Sequence, residues 1–309
     1  IELARYADIF IQHRPGSDVA LLMGMARAIV EAGLQDQQFI QERCENYEAL
    51  VDSLKEFDPA RVEQLTGVKW ELVAKAARLY ASQKPASILY AMGITQSTHG
   101  HDNVRAVGNL AMLTGNIGRP GAGVDPLRGH NNVQGACDMG VLPDLLPGYR
   151  GVVDAEVRQK LGEAWGAEVP SWPGLTVGEI IDEAYQGKIK AIYLMGENFA
   201  LSEPCVRKCQ GALEELQFLV VQDMFLTETA RLATVVLPAC SFAERDGTFT
   251  NTERRVQRVR QAIPCLGDSR PDWWITCQLA RRLGAKGFDY EGPSQIMDEV
   301  ARLVPQYGG

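Results

Sequence analysis

A chain of 309 residues, 46% of them hydrophobic, can bury a sizeable core and is long enough for two lobes. Its 39 acidic and 31 basic residues leave a net charge of -8, which argues against a general nucleic-acid binder. No apolar run approaches the roughly 20 residues needed to span a bilayer, so no membrane span is expected.

Helical signals dominate the opening of the chain. Ser17 is placed as an N-cap for a helix carrying Leu21, Leu22, Met25, Ile29 and Val30, with Gly33 as its C-terminal stop. Asp58-Pro59 supplies a cap and a first-turn proline for a short helix that ends at Gly67. Lys69 to Ser82 continues with Trp70, Val73, Ala74, Ala77 and Leu79 as an apolar stripe. These helices read as packing elements with no chemistry of their own. After Pro85, Ser87-Ile88-Leu89-Tyr90-Ala91-Met92 reads as a buried strand. A polar loop from Gly93 to Gly100 and a helix from about Asp102 to Thr114 complete a strand–loop–helix unit. His99 and His101 on that loop could ligate a metal, but no acidic partner is evident and they read as solvated.

From Gly115 to Gly151 the sequence is dense in glycine and proline and poor in helix and strand formers. Such a stretch inside a compact domain is usually functional. The run from Gly115 to Gly123 can expose backbone N–H groups to an anion, with Arg119 adding charge, or it can simply turn. Arg128 stands among neutral amides, an imidazole and glycines in Arg128-Gly129-His130-Asn131-Asn132-Val133-Gln134-Gly135. A guanidinium in that setting suits a small carboxylate or phosphate, two oxygens of which it can bind at once. The alternative is a loop arginine paired with Asp125 or Asp138.

The second half has an α/β rhythm. Ala191 to Met195, Phe218 to Val221 and Thr234 to Leu237 read as strands, separated by helices over Pro204 to Leu216 and Thr227 to Leu232. Such alternation implies right-handed crossovers and a parallel sheet. Open parallel sheets bind ligands outside the carboxyl ends of their strands. There the first strand offers Gly196, Glu197 and Asn198, and the second offers Gln222 and Asp223. Gly196 lets the backbone approach a ligand, and Asp223 can accept hydrogen bonds from a ribose or from a purine's N–H groups. Asp223 follows Gly196 by 27 residues, beyond the usual spacing of about 20, and no Gly-x-Gly-x-x-Gly follows either strand. An ordinary nicotinamide site is therefore not expected; a nucleotide site and a plain sheet-edge carboxylate both stay open. The cysteines are too scattered for a disulfide framework, and Cys205 and Cys209 lack a second pair to complete a metal site. They read as reduced thiols, in keeping with a cytoplasmic setting.

Several blocks occur in order over nearly the whole chain: "YAMGITQ" (90–96), "LTGNIGRPGAGVDPLRGHNNVQGACDMG" (113–140), "LPGY" (146–149), "YLMGEN" (193–198), the run 220–259 and "RPDWWITCQLARRLG" (270–284). Together they resemble the catalytic subunit of formate dehydrogenases in the dimethyl-sulfoxide-reductase family of molybdopterin oxidoreductases. The block from Arg128 to Gly140 is the most specific.

The resemblance implies an α/β fold of two Rossmann-like lobes with mainly parallel sheets. One lobe would be residues 1–130. The other would be 131–242 with 272–309 and would bind a guanine dinucleotide, leaving 243–271 as an excursion toward an iron–sulfur domain. It implies a bis-molybdopterin guanine dinucleotide centre with molybdenum or tungsten, and [4Fe-4S] clusters whose ligands lie outside this chain. The implied reaction is oxidation of formate to CO2, or the reverse, with electrons passing to the electron-transfer subunits of a complex. By the same resemblance, Gly196, Glu197, Asn198 and Asp223 bind one guanosine diphosphate end, with Ser202 and Ser241 nearby. Met92, Gly93 and Gln96 contact the pterin side, and Arg128 orients the carboxylate of formate. His130 stands where relatives often carry glutamine and could donate to a carboxylate or to the pterin. No residue of this chain is expected to ligate the metal. The start at Ile1, without an initiator methionine, leads to the expectation of an internal stretch of a longer polypeptide, inactive by itself. The competing expectations are another molybdopterin oxidoreductase, such as nitrate reductase, and a non-catalytic homologue that scaffolds an electron-transfer complex.

Overall fold

The computed structural model describes residues 2–308, and the chain divides into two compact units, Ile1–Gly129 and His130–Gly309. In the first unit, helices α1 (Asp18–Glu31), α2 (Gln37–Arg43), α3 (Tyr47–Ser53), α4 (Pro59–Thr66) and α5 (Trp70–Ser82) precede the strands. Asp58 caps α4 as expected: its carboxylate accepts the N–H of Arg61 at 2.8 Å, and Gly67 ends the helix at φ +74°. Ser17 precedes α1 but caps nothing, because its hydroxyl donates back to the carbonyl of Arg14 at 2.6 Å. Ala26, Ala28 and Ile29 of α1 are buried in one core with Ala74, Ala77 and Ala81 of α5 and with Leu110 and Leu113 of α7 (Gly100–Leu113).

Strand β1 (Ser87–Tyr90) is shorter than the sequence suggests, and Met92–Thr95 instead closes a helical turn, α6. Its parallel partner β2 (Gly123–Pro126) reaches only as far as Pro126, opposite Tyr90, so no strand remains for Ala91 and Met92 to pair with. The following helix α7 begins at Gly100. His101 therefore lies in its first turn and His99 at its N-cap, not both on a loop.

The second unit opens with α8 (Val133–Asp138), the short antiparallel pair β3 (Leu145–Leu146) and β4 (Arg150–Gly151), α9 (Ala155–Trp165) and α10 (Val177–Tyr185). The expected rhythm follows: β5 (Ala191–Met195), α11 (Phe199–Ser202), α12 (Val206–Glu214), β6 (Phe218–Asp223), α13 (Glu228–Leu232) and β7 (Val235–Pro238). The three strands are parallel in the order β5-β6-β7. Leu194, Leu219 and Val221 form a dry core with Ile181, Phe199, Leu213 and Ala230 from the helices. The alternate positions Ala191, Tyr193, Met195 and Phe218 lie on the opposite face and are exposed, as a period of two requires, although Gln222 on that face is buried. Beyond β7 come the hairpin β8 (Gly247–Thr250) and β9 (Val256–Val259), then α14 (Asp272–Arg282) and α15 (Pro293–Leu303). Residues 243–271 count within this unit, and the N–H of Thr250 donates to Asn132 Oδ1 at 2.9 Å. Each unit thus carries a parallel sheet, which makes the fold mixed α/β.

The glycine-rich segment is crowded where it lies in the second unit. A Cβ on Gly135 would sit 2.3 Å from Asn132 Oδ1. On Gly140 it would sit 2.9 Å from the carbonyl carbon of Leu146, and on Gly148 2.8 Å from a methyl of Val304. Gly140 and Gly148 also hold φ at +84°, which L side chains avoid. Among the described residues, no helix is long and apolar enough to cross a membrane.

The one-sided sheet predicts an asymmetry in stability. Leu219→Ala, at a position only 2% exposed, should cost about 2–5 kcal/mol. Met195→Ala on the open face should cost under about 1 kcal/mol. Urea midpoints at an unchanged m value would measure both; equal losses would contradict the packing described.

Candidate functional site

In the second unit, the residues singled out from sequence collect past the carboxyl ends of β5, β6 and β7. Gly196 follows β5 directly. Its N–H donates to the carbonyl of Gln222 on β6 at 2.9 Å, and its φ is +65°. Nothing would lie within 4 Å of a Cβ there, so glycine is required by backbone conformation and leaves the edge open.

Asn198 is committed to the scaffold. Its Nδ2 donates to Glu228 at 2.7 Å, and its Oδ1 accepts the N–H of Thr229 at 3.2 Å and that residue's hydroxyl at 2.8 Å. Thr229 is fully buried, and its hydroxyl oxygen accepts the N–H of Ala200 at 2.9 Å. The loop after β5 is thereby fastened to α13. The bond to Asn198 also holds the Glu228 carboxyl below the ordinary carboxylate range. Beside it, the Ser202 hydroxyl donates to the Glu197 carboxylate.

Asp223 ends β6. One of its carboxylate oxygens accepts the N–H of Phe225 at 3.0 Å, and the other takes no hydrogen bond among the described residues. Its main-chain carbonyl accepts the N–H of Ala239 at 3.0 Å, tying it to the end of β7. Ser241 lies just beyond and forms a capping box with Glu244, whose carboxylate accepts the Ser241 N–H at 2.7 Å. The Ser241 hydroxyl and N–H hold the Glu244 carboxyl below its usual range. Ser241 thus has a structural task that its Ser-x-x-Glu spacing could have announced. His130 is not at this edge; it precedes α8, with its carbonyl accepting the N–H of Val133 at 3.4 Å.

In the first unit, Met92 and Gly93 sit in α6 and Gln96 ends it, its N–H donating to the carbonyl of Met92 at 2.8 Å. Arg128 follows β2 at the carboxyl edge of its own sheet and is exposed. Leu127 N–H donates to the Tyr90 carbonyl at 2.7 Å, which fixes where this segment leaves the sheet. A Cβ on Gly129 would lie 3.8 Å from the Met92 sulfur, so the Arg128 segment and α6 are neighbours. In the loop at 115–123, Arg119 donates to Oδ1 of the buried Asn116 at 3.3 Å, and that oxygen also accepts the N–H of Ala86 at 3.2 Å, while residues 117–121 are exposed. Cys205 is an exposed N-cap and Cys209 is buried in α12. Among the described residues, no group of three or more His, Cys, Asp or Glu is arranged to hold a metal.

Two polar linkages escaped the sequence reading. Gln222 is fully buried; it accepts the Tyr193 hydroxyl and donates to Asp272 at 2.7 Å, and Asp272 pairs with Arg245 at 3.4 Å. A glutamine closing the apolar run Phe-Leu-Val-Val was the available signal, since a buried amide has to be bonded. Asp138, buried in α8, accepts from Gln134 at 2.8 Å and from the Tyr307 hydroxyl at 2.8 Å. Burial first, and then the bond to Asp138, push Tyr307 up to about 12.

The sequence matches the family model "Molybdopterin oxidoreductase" over residues 2–282. It is 48% identical over 307 residues to the F420-dependent formate dehydrogenase subunit alpha of Methanocaldococcus jannaschii, covering 99% of this chain and 45% of that protein. It is 45% identical over 308 residues to the probable oxidoreductase YjgC of Bacillus subtilis, covering 100% of this chain and 31% of that protein. Among solved structures, acetylene hydratase from Pelobacter acetylenicus aligns with a TM-score of 0.77 at 20% identity, over 96% of this chain and 44% of that one, a likeness of fold. The chain spans less than half the length of each of these relatives.

The Tyr307–Asp138 bond gives stability a pH signature. Tyr307 titrates near 12 when folded against an ordinary value of 10.0, so folding favours its protonated form. That contribution is complete below pH 10.0 and is lost as the pH rises toward about 12. Tyr290, also pushed to about 12, adds a loss of the same sign. Tyr307→Phe should flatten part of the fall in denaturation midpoint across this window; an unchanged slope would place the hydroxyl outside the linkage.

Proposed function

Because the chain belongs to the molybdopterin oxidoreductase family, we propose that it supplies part of the catalytic subunit of a formate dehydrogenase, interconverting formate and CO2. The proposed cofactor is a bis-molybdopterin guanine dinucleotide with molybdenum or tungsten. The proposed electron route runs through [4Fe-4S] clusters, held by residues outside this chain, to electron-transfer subunits. The observation that carries the formate reading is Arg128, exposed past the carboxyl edge of β2 within the block most specific to formate dehydrogenases. The likeness to a named formate dehydrogenase subunit over 99% of this chain supports it.

The donor set at the β5–β7 edge suits a guanine nucleotide. Gly196 leaves space for close backbone approach, and Asp223 keeps one carboxylate oxygen free of hydrogen bonds among the described residues. That oxygen can accept from a ribose hydroxyl or from guanine N–H groups. Glu197, steadied by Ser202, adds a second carboxylate, while Asn198 and Ser241 hold the loops that carry these groups. Met92, Gly93 and Gln96 are the proposed pterin contacts. When bound, the molybdopterin-held metal supplies the two-electron redox chemistry. Arg128 binds and orients the carboxylate by a charged, two-point contact. His130 is a proposed second donor toward the carboxylate or the pterin.

Two substitutions, made in the complete catalytic subunit, separate these roles. Arg128→Ala should lower kcat/KM for formate about ten- to a hundredfold, the loss of a charged hydrogen bond of about 1.5–3 kcal/mol, with metal content unchanged. Asp223→Ala should reduce the guanine nucleotide released by acid from the purified protein. Formate-dependent viologen reduction, metal analysis and nucleotide release measure these outcomes. Normal formate turnover by the complete subunit carrying Arg128→Ala would end the formate reading, and a complete subunit that is metal-free and inactive under full cofactor supply would point to a scaffold.

A further inference from the structure

Helix α15 carries an apolar stripe that the fold leaves half-covered. Pro293, Ile296, Met297 and Val300 are spaced i, i+3, i+4 and i+7, which puts them on one face. Yet no residue of α15 is buried. The stripe forms one wall of a cavity of about 410 Å³ within the second unit, and Met139 and Trp273, both half-buried, line it as well. That volume is in the range that holds small ligands.

Another wall comes from the β8–β9 hairpin. Thr248 and Arg258 are register partners, so their side chains leave the same face of the hairpin, and both line the cavity. The charged side chains of the lining fall into two kinds. Arg245 is paired with Asp272 at 3.4 Å, and Asp246 accepts the N–H of Gln261 at 2.8 Å. Arg258 and Asp298 are not engaged in this way. Among the described residues, neither side chain forms an ion pair or a hydrogen bond, with the other or with any third group. A cation and an anion that share one apolar cavity without meeting are the complement of a zwitterion. The first turn of α15 adds to the cationic side of the balance: no side chain caps it and it holds no acidic residue, so its amide dipoles favour a carboxylate.

We propose that this cavity binds a free α-amino acid with an apolar side chain. Arg258 and the open first turn of α15 take its carboxylate, and Asp298 takes its ammonium. Trp273 and the α15 stripe receive the side chain, which completes the cover that the stripe lacks. Met139 and Met297 are adaptable walls, so aromatic and branched side chains can both be accommodated. No residue of the cavity is among those assigned above to formate, the pterin or the guanine nucleotide. The site therefore stands or falls independently of that reading.

The test is isothermal titration calorimetry on the full-length protein at neutral pH. L-phenylalanine is the probe, beside hydrocinnamate, which lacks the ammonium, and phenethylamine, which lacks the carboxylate. L-phenylalanine should bind at one site, about ten- to a hundredfold more tightly than either analogue, the worth of one charged hydrogen bond. Arg258→Gln should lower its affinity to that of phenethylamine, and Asp298→Asn to that of hydrocinnamate. Both side chains are exposed and unpaired, so neither substitution removes a contact that holds the fold. No binding of L-phenylalanine at millimolar concentration, an analogue that binds as tightly, or an affinity that either substitution leaves unchanged overturns the proposal. Should a variant fail to fold, the ranking of the three ligands on the unsubstituted protein decides alone.

Discussion

Parallel pairing governs what this molecule can present. A chain that lays β5, β6 and β7 side by side in one direction has to return over the sheet between strands, and α11, α12 and α13 make those returns. All three strands consequently release their chain at the same edge, and whatever follows each strand is thrown together there. β1 and β2 repeat the arrangement in the first unit with α7 as the return. The glycine and carboxylate of one sheet, and the arginine of the other, lie where the direction of the strands puts them.

A strand-end edge also releases backbone groups that no ladder satisfies, and side chains have to meet that demand before any are left for a ligand. Asn198 uses both ends of its amide to hold α13, Ser202 is turned toward Glu197, and Ser241 is held by its capping box. Gln222 spends its amide on Tyr193 and on Asp272 at the start of α14, on the face opposite α11, α12 and α13. Against this background, the Asp223 oxygen that takes no hydrogen bond among the described residues stands out. Polar residues that looked equivalent in the sequence divide into those that build the edge and those with an atom to spare.

The sheets were legible because they are written in local patterns. Ala191 to Met195 and Phe218 to Val221 are short apolar runs set between helices, and Asp58-Pro59 with Gly67 spells out a helix start and stop. Strand-end positions could then be named from the parallel reading alone. What could not be read depends on partners distant in sequence. Ser17 has the chemistry of a cap, yet its hydroxyl returns to Arg14. Met92 continues an apolar run, yet its strand ends where β2 runs out. Gln222 finds Asp272 and Asp138 finds Tyr307 across separations that no local pattern encodes.

The crowding around Gly135, Gly140 and Gly148 bears on how portable the Arg128 block is. The surfaces that press on those α-carbons belong to Asn132 and Thr250, to Leu146 and Pro147, and to Val304 and Gln306. Some of these neighbours are drawn from the far hairpin and from the segment after α15. A grafter who moved only the block from Arg128 to Gly140 into another scaffold would carry its letters without the walls that shape it. The transplant unit is the block together with its hairpin and the stretch through Tyr307.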